Sequence, residues 1–393
     1  LEIYDFLEPS LAVMPELMGF GGEKRYLIAF QNPSESRGTG GIIGAFAIVR
    51  FENGKIEIEK AGANSLLRSQ PELPISMPSE FVDLYRTDPA IWQNSNLSPH
   101  FPYGARIWLG LWEKQFDQKL DGVITLDPFV LKEFLRVLGP IEVEGITIDY
   151  RNVITETLSN AYVRFENNNQ ARKDFLVRII ELVALKIATN NSDKIKLILS
   201  TLKPLKEHRI LIYSSDQKLQ ALLDRSNIAG ILSNSVPNEY RLVVQNIAGN
   251  KMDYYLKRTL LLKSITCTNE RRTKVVFTLV NDIRKDKNLP NYVKGRLDLG
   301  LEEGKNNSSA ITALLFGPPN AKLVSATERG NREFTGFLKE ELGREVLSIP
   351  IELMAGEGRT FEAVFAGGKG KLTTVVQPLV WPMKLTILDT CEK

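Results

Sequence analysis

Three groups of residues have the types and spacing to do chemistry. The first is SESR at 34–37, where Glu35 and Arg37 stand one residue apart and Gly38, Gly40, Gly41 and Gly44 follow. A carboxylate, a guanidinium and glycine N–H groups that no side chain shields are the groups that hold anions. The same residues also suit a crossover where backbones pass closely, and spacing alone favours that packing reading. The second group is WQNSNLSPHFP at 92–102. Asn94, Asn96 and Ser98 either line a site facing the first loop, or make turns and cap the helix that follows; the residues alone favour capping. The third is Arg164, Arg172 and Arg178, in or beside helical segments. Arginines on helices are usually solvated or paired with surface acids, whereas two or three converging on one cleft make a phosphate clamp.

These groups need elements to position them. Tyr26–Phe51 reads as two buried strands around an exposed glycine-rich loop. Asn53-Gly54 predicts a hairpin turn, and the alternation in KIEIEK (55–60) predicts an edge strand with one wet face. Residues 62–102 are proline-rich and irregular, a connection long enough to be functional in its own right. An amphipathic helix follows over 105–116, with Trp108 and Trp112 as core. DGVITLDP (121–128) predicts a strand and then a helix capped by Asp127 with Pro128 in its first turn. That helix ends at Gly139-Pro140, and a second hairpin turns about Glu144-Gly145. Residues 152–202 read as helical, HRILIYSS (208–215) as a buried strand, and QKLQALLDRS as a helix.

Strands mixed with long helices predict an α/β layered domain with a mixed sheet. From about residue 250 the pattern changes to short strands separated by turns, including KVVFTLVN, YVKGRLDLGL, SAITALLFG and MKLTILDT, which predicts a β-sandwich without helices. The expected division is therefore a lead-in helix or linker over 1–23, the α/β domain over 24–249, and the sandwich over 250–393. The lead-in has Leu7, Leu11, Met14 and Leu17 at helical spacing, interrupted by Pro9 and Pro15.

Composition narrows the function classes. The chain has 393 residues, 43% hydrophobic and 25% charged, which suits a globular protein of two or three domains. A net charge of +3 argues against a nucleic-acid partner. No apolar run approaches the roughly 20 residues of a membrane span. The chain begins at Leu1, so an upstream signal or anchor stays open. With only His100 and His208, a multi-histidine metal site is excluded. Cys267 and Cys391 are either a disulfide of an oxidising compartment or two unrelated buried thiols.

FQNPSESRGTGGIIGAFAIVRFENGKI, WQNSNLSPHFP, LDGVITLDPFVLKEFLRVLGPIEVEG and NIAGNKMDYYLKR together resemble a bacterial envelope family of unknown function, DUF4012. The resemblance runs over nearly the whole chain. It implies an extracytoplasmic protein, membrane-anchored through a segment absent from this chain or associated with the cell wall.

The α/β part is also similar to the LytR–CpsA–Psr family, which moves glycopolymers from a polyprenyl-pyrophosphate carrier onto the cell wall. SESR resembles that family's first loop, and AYVRF (161–165) and ARKDFLVR (171–178) resemble its Tyr-x-Arg element and arginine-rich helix. The resemblance implies an α/β/α layered domain and catalytic roles for Glu35 and Arg37. It implies pyrophosphate contacts from Arg37, Gly40, Gly41, Arg164 and Arg172, and a substrate lined by Asn32, Asn94, Asn96 and His100. It also implies Mg²⁺ at Glu35 and a polyprenyl-linked glycan or cell-wall polymer as partner.

The sequence departs from that pattern where the family has a second acid and arginine, because GTGGIIGA stands there. His100 stands where the unknown-function family more often has an aspartate. Two functions are therefore expected: glycopolymer transfer from a lipid-linked pyrophosphate, or a non-catalytic envelope binding or scaffold protein with the same fold.

Overall fold

Asn53 and Gly54 both adopt positive φ (50° and 75°), the conformation a two-residue hairpin turn between right-twisted strands requires. They join strand β2 (Gly40–Glu52) to β3 (Lys55–Ala63) in antiparallel register. In a computed structural model the described residues are 13–189, 194–267, 270–300, 305–330 and 333–391. Leu7, Pro9 and Leu11 of the expected lead-in lie outside them; Met14 and Leu17 sit in a helical turn over 13–17. The chain forms two compact units. The first holds residues 1–32, 39–77 and 87–231, and the second holds 33–38, 78–86 and 232–393.

Strand β1 (Lys24–Arg37), whose residues 24–32 belong to the first unit, lies beside β2 and pairs in parallel with β4 (Gly122–Leu126). The expected exposed loop between the first two strands is instead strand up to Arg37, a turn at residues 38–39, and strand again from Gly40. Gly40, which follows that turn, has φ 138°, which a side chain would resist. The sheet order is β3-β2-β1-β4-β7, with β7 (Ile212–Ser214) antiparallel to β4. The sheet is therefore mixed, and β3 is an edge strand, as its alternating sequence predicts. The strand expected over 208–215 shortens to β7.

Helix α1 (Phe101–Phe116) buries Trp108 and Trp112 completely, and the Trp108 indole N–H donates to Trp92 O at 3.0 Å. Asp127 caps α2 (Pro128–Leu138) by accepting from the backbone N–H of Phe129 and Val130. Arg209 pairs with the same buried carboxylate. A second hairpin joins β5 (Ile141–Val143) and β6 (Ile146–Ile148). The helical stretch that follows is not uniform. A π-helical turn over Glu156–Asn160 interrupts it before α3 (Asn169–Thr189). After α3 come α4 (Lys194–Ser200) and α5 (Gln217–Leu223), the latter capped by Asp216.

The second unit contains two five-stranded sheets. One has the order β12-β15-β10-β9-β17 and the other β13-β14-β11-β8-β16. The strands are β8 (Glu239–Asn246), β9 (Leu256–Thr266), β10 (Arg272–Asn281), β11 (Ser309–Phe316), β12 (Lys322–Glu328), β13 (Phe337–Glu341), β14 (Arg344–Leu353), β15 (Gly358–Ala366), β16 (Thr373–Thr374) and β17 (Lys384–Leu388). Leu242 and Val244 of one sheet share a buried cluster with Leu260, Val275 and Phe361 of the other. Hydrophobic alternation along each strand supplies this core.

Relative to an expected start near residue 250, the long run of this unit begins at Leu232, ahead of β8, which pairs with β11. YVKGRLDLGL is not a strand: Asn291–Lys294 is a helical turn after Pro290, and Leu297–Leu299 is a 3₁₀ turn. The irregular connection before residue 102 supplies a helix, Ser79–Tyr85, to this unit. Tyr85 donates to Glu341 at 2.8 Å, and Glu80 accepts from Leu342 N at 3.0 Å.

Candidate functional site

The residues singled out from sequence fall into three clusters, each within one unit. Glu35 and Arg37 belong to the second unit. Glu35 is 8% exposed, and its Oε1 accepts from the Lys251 ammonium at 2.6 Å. Ser36 gives both its N–H (2.8 Å) and its hydroxyl (2.6 Å) to one oxygen of buried Asp253. Arg37, also 8% exposed, donates to Ser36 O at 2.8 Å and Asn246 O at 3.1 Å. Gln377 closes the group by donating to Arg37 O at 2.6 Å and Val244 O at 2.8 Å. Burial pushes the Asp253 carboxyl above the ordinary carboxylate range; the bonds from Ser36 and the nearby Arg37 charge oppose that rise.

This cluster holds two acids and two bases whose formal charges cancel. An anion hole needs an excess of donors and positive charge aimed at open space. Here Arg37 spends donors on backbone carbonyls, and Glu35 faces an ammonium. Mg²⁺ prefers about six oxygens at octahedral positions. Oε1 of Glu35 is already held by the Lys251 ammonium, so this carboxylate does not offer both oxygens to Mg²⁺. Among the described residues, no group of three or more His, Cys, Asp or Glu side chains could hold a metal.

The second cluster lies in the first unit around the turn after β1. Asn96 donates to Thr39 Oγ1 at 2.7 Å and to Gly41 O at 3.0 Å. Gln31 donates to the same Thr39 oxygen at 2.9 Å. Asn96 is fully buried, and its Oδ1 has no hydrogen-bond partner among the described residues. Asn96 therefore does reach the glycine segment, in the manner of a buried tie. Asn94 and His100 make contacts close in sequence. The Asn94 N–H bonds to Ile91 O, the His100 N–H donates to Ser98 Oγ at 3.0 Å, and the His100 ring packs against Tyr103.

The third cluster, also in the first unit, joins Asn32, Tyr162 and Arg172. Asn32 donates to the Tyr162 hydroxyl at 2.8 Å, and the Arg172 guanidinium stands 4.4 Å from the centre of the Tyr162 ring. Arg172 also donates to Asn169. Arg164 pairs with Glu156, in the π-helical turn, at 2.8 Å. Its charge is balanced locally.

Cys267 and Cys391 are disulfide-bonded, with Cα atoms 5.2 Å apart. Between the two readings left open by the sequence, the structure takes the bond.

Sequence reasoning passed over Lys251, Asp253, Asn246 and Gln377, which surround SESR. A signal existed: NIAGNKMD places Asn246, Asn250, Lys251 and Asp253 within a few residues of one another, and all four are buried. Such a density of buried polar groups demands partners.

The fold and clusters define a mixed α/β protein with a second, two-sheet unit. Residues 21–162 match the family model described as "Protein of unknown function (DUF4012)". No functionally curated protein matches the chain. Solved structures share weak similarity. A Legionella pneumophila protein is 7% identical with TM-score 0.20, over 33% of this chain and 43% of that one. The transcriptional regulator yvhJ of Bacillus subtilis is 11% identical with TM-score 0.26, over 51% and 76%. The Lin1025 protein of Listeria innocua is 12% identical with TM-score 0.28, over 57% and 86%. The chain thus spans less than half the length of the first of these.

Proposed function

We propose that this chain is a non-catalytic, extracytoplasmic cell-envelope protein, a binding or scaffold module for a cell-wall polymer. In this reading the first unit has the α/β/α layering of LytR–CpsA–Psr domains and the second is a β-sandwich. The mixed sheet and the core shared by two sheets support that reading. One observation carries the non-catalytic assignment. The SESR segment, which would have to meet a pyrophosphate, is bonded to Lys251, Asp253 and Asn246. The Cys267–Cys391 bond supports an oxidising compartment.

The test is direct. The purified chain is incubated with a polyprenyl-pyrophosphate-linked glycan and peptidoglycan, with and without Mg²⁺. Products are read by mass spectrometry and polymer binding by co-sedimentation. Co-sedimentation without glycan transfer is expected. Transfer that is abolished by Glu35→Gln or Arg37→Lys would overturn the assignment.

A second reading, glycopolymer transfer, is favoured by the Asn32–Tyr162–Arg172 group. A guanidinium held against a ring face suits a phosphate ligand. Binding of polyprenyl phosphate that Arg172→Ala removes is its signature.

A further inference from the structure

Helix α4 carries three large apolar side chains that the first unit leaves exposed. Ile195 is 74% exposed, Leu199 55% and Ile198 49%. At about 100° per residue these three fall within an arc of roughly 100° on one side of the helix. Leu197, on the other side, is buried, and α4 packs on α2. Lys194 and Lys196 are exposed and stand at the two flanks of the apolar arc, each about 100° from Ile195. The next helical turn, Leu202–Lys206, adds exposed Lys203 and Lys206. Residues 194–207 contain four lysines and a single acid, Glu207, which pairs with Lys203 at 3.9 Å.

We propose that α4 is an interfacial membrane contact that lies on an anionic phospholipid surface, with Ile195, Ile198 and Leu199 inserted and the flanking lysines at the headgroups. Isolated exposed leucines need no explanation, but three on one arc, bordered on both sides by ammonium groups, are the pattern of helices that rest in a bilayer interface. Lysine stems extend along the apolar zone while their charges stay in water. Charge decides between occupants. A second copy seated on this face would bring the same lysine-flanked strip against itself, and like charges would meet. An anionic bilayer complements both the apolar arc and its border. No helix among the described residues is long and apolar enough to cross a membrane, so this contact lies on the surface. The inference goes beyond the envelope assignment and needs no catalytic role.

The test is flotation of the full chain with two vesicle types, pure phosphatidylcholine and phosphatidylcholine mixed with phosphatidylglycerol. The chain is expected to float with the anionic vesicles, to be released by high salt, and to stay behind with the neutral ones. The Ile195→Ser/Leu199→Ser variant should bind at least about tenfold more weakly. Lys194→Gln/Lys196→Gln, which leaves the apolar arc intact, should lose about tenfold on anionic vesicles. Circular dichroism of each variant confirms folding, and sedimentation velocity gives the oligomeric state. The proposal is overturned by no flotation of the parent chain, by equal flotation on both vesicle types, or by serine variants that float like the parent. It is equally overturned if the parent is a dimer that the serine substitutions dissociate.

Discussion

Lys251 Nζ lies 2.6 Å from Oε1 of Glu35, and both side chains are nearly excluded from solvent. The pair joins residues far apart in sequence inside one unit. It turns the acid most suggestive of chemistry into half of an internal ion pair, and its energetics are testable.

Removing one partner strands a buried charge, which typically costs about 3–5 kcal/mol. Lys251→Met should therefore lower the stability of the second unit by that order in urea unfolding. Glu35→Leu, which strands the Lys251 ammonium instead, should cost a similar amount. The double variant Glu35→Leu/Lys251→Met should recover most of the loss. A double variant as unstable as the sum of the singles would show that the two groups do not act on each other.

The Cys267–Cys391 bond closes a loop with a sequence separation of 124. Constraining so long a loop in the unfolded chain is worth about 5 kcal/mol on chain-entropy grounds. Reduction, or Cys267→Ser/Cys391→Ser, should lower the Tm of the second unit. Calorimetry with and without reductant reads this.

Asp389 gives a pH dependence. Burial would raise its carboxyl, but the N–H groups of Leu372 and Cys391, Arg271 and the Ser264 hydroxyl outweigh it and hold the group down, at about 2. Because the folded value lies below the ordinary 3.8, this stabilisation is complete above about pH 4 and is lost as pH falls toward 2. The expected loss is about 2 kcal/mol. Asp389→Asn should be less stable at neutral pH and should flatten that part of the acid-unfolding curve.

Gly122 sits where β4 meets β7, and a Cβ there would lie 2.1 Å from Tyr213 O. Gly122→Ala should force the strands apart and cost about 3 kcal/mol. Asn96→Ala should cost about 2 kcal/mol by removing two buried hydrogen bonds. Denaturant midpoints of the two variants check both values, and losses below about half a kcal/mol would contradict these packing accounts.

Local signals were the legible part of this protein. Asn53-Gly54 and Glu144-Gly145 specify hairpins because both turns need positive φ. Asp127-Pro128 specifies a helix start because one residue caps and the other tolerates the first turn. Tryptophans 108 and 112 declare their burial through helical spacing. YVKGRLDLGL misled because a run of alternating residues carries no information about neighbouring strands, and Pro290 tipped it into a helical turn.

The roles of charged residues were decided elsewhere. The sequence by itself determined that an acid and an arginine stand beside a glycine turn, and that hydrophobic periodicity builds a mixed sheet followed by short strands. Only the tertiary structure decided what those charges do. An ion's chemistry depends on which opposite charge reaches it and how much water remains, and both depend on contacts distant in sequence. Lys251 and Asp253 are more than two hundred residues from SESR along the chain, yet they bond to its acid and its serine.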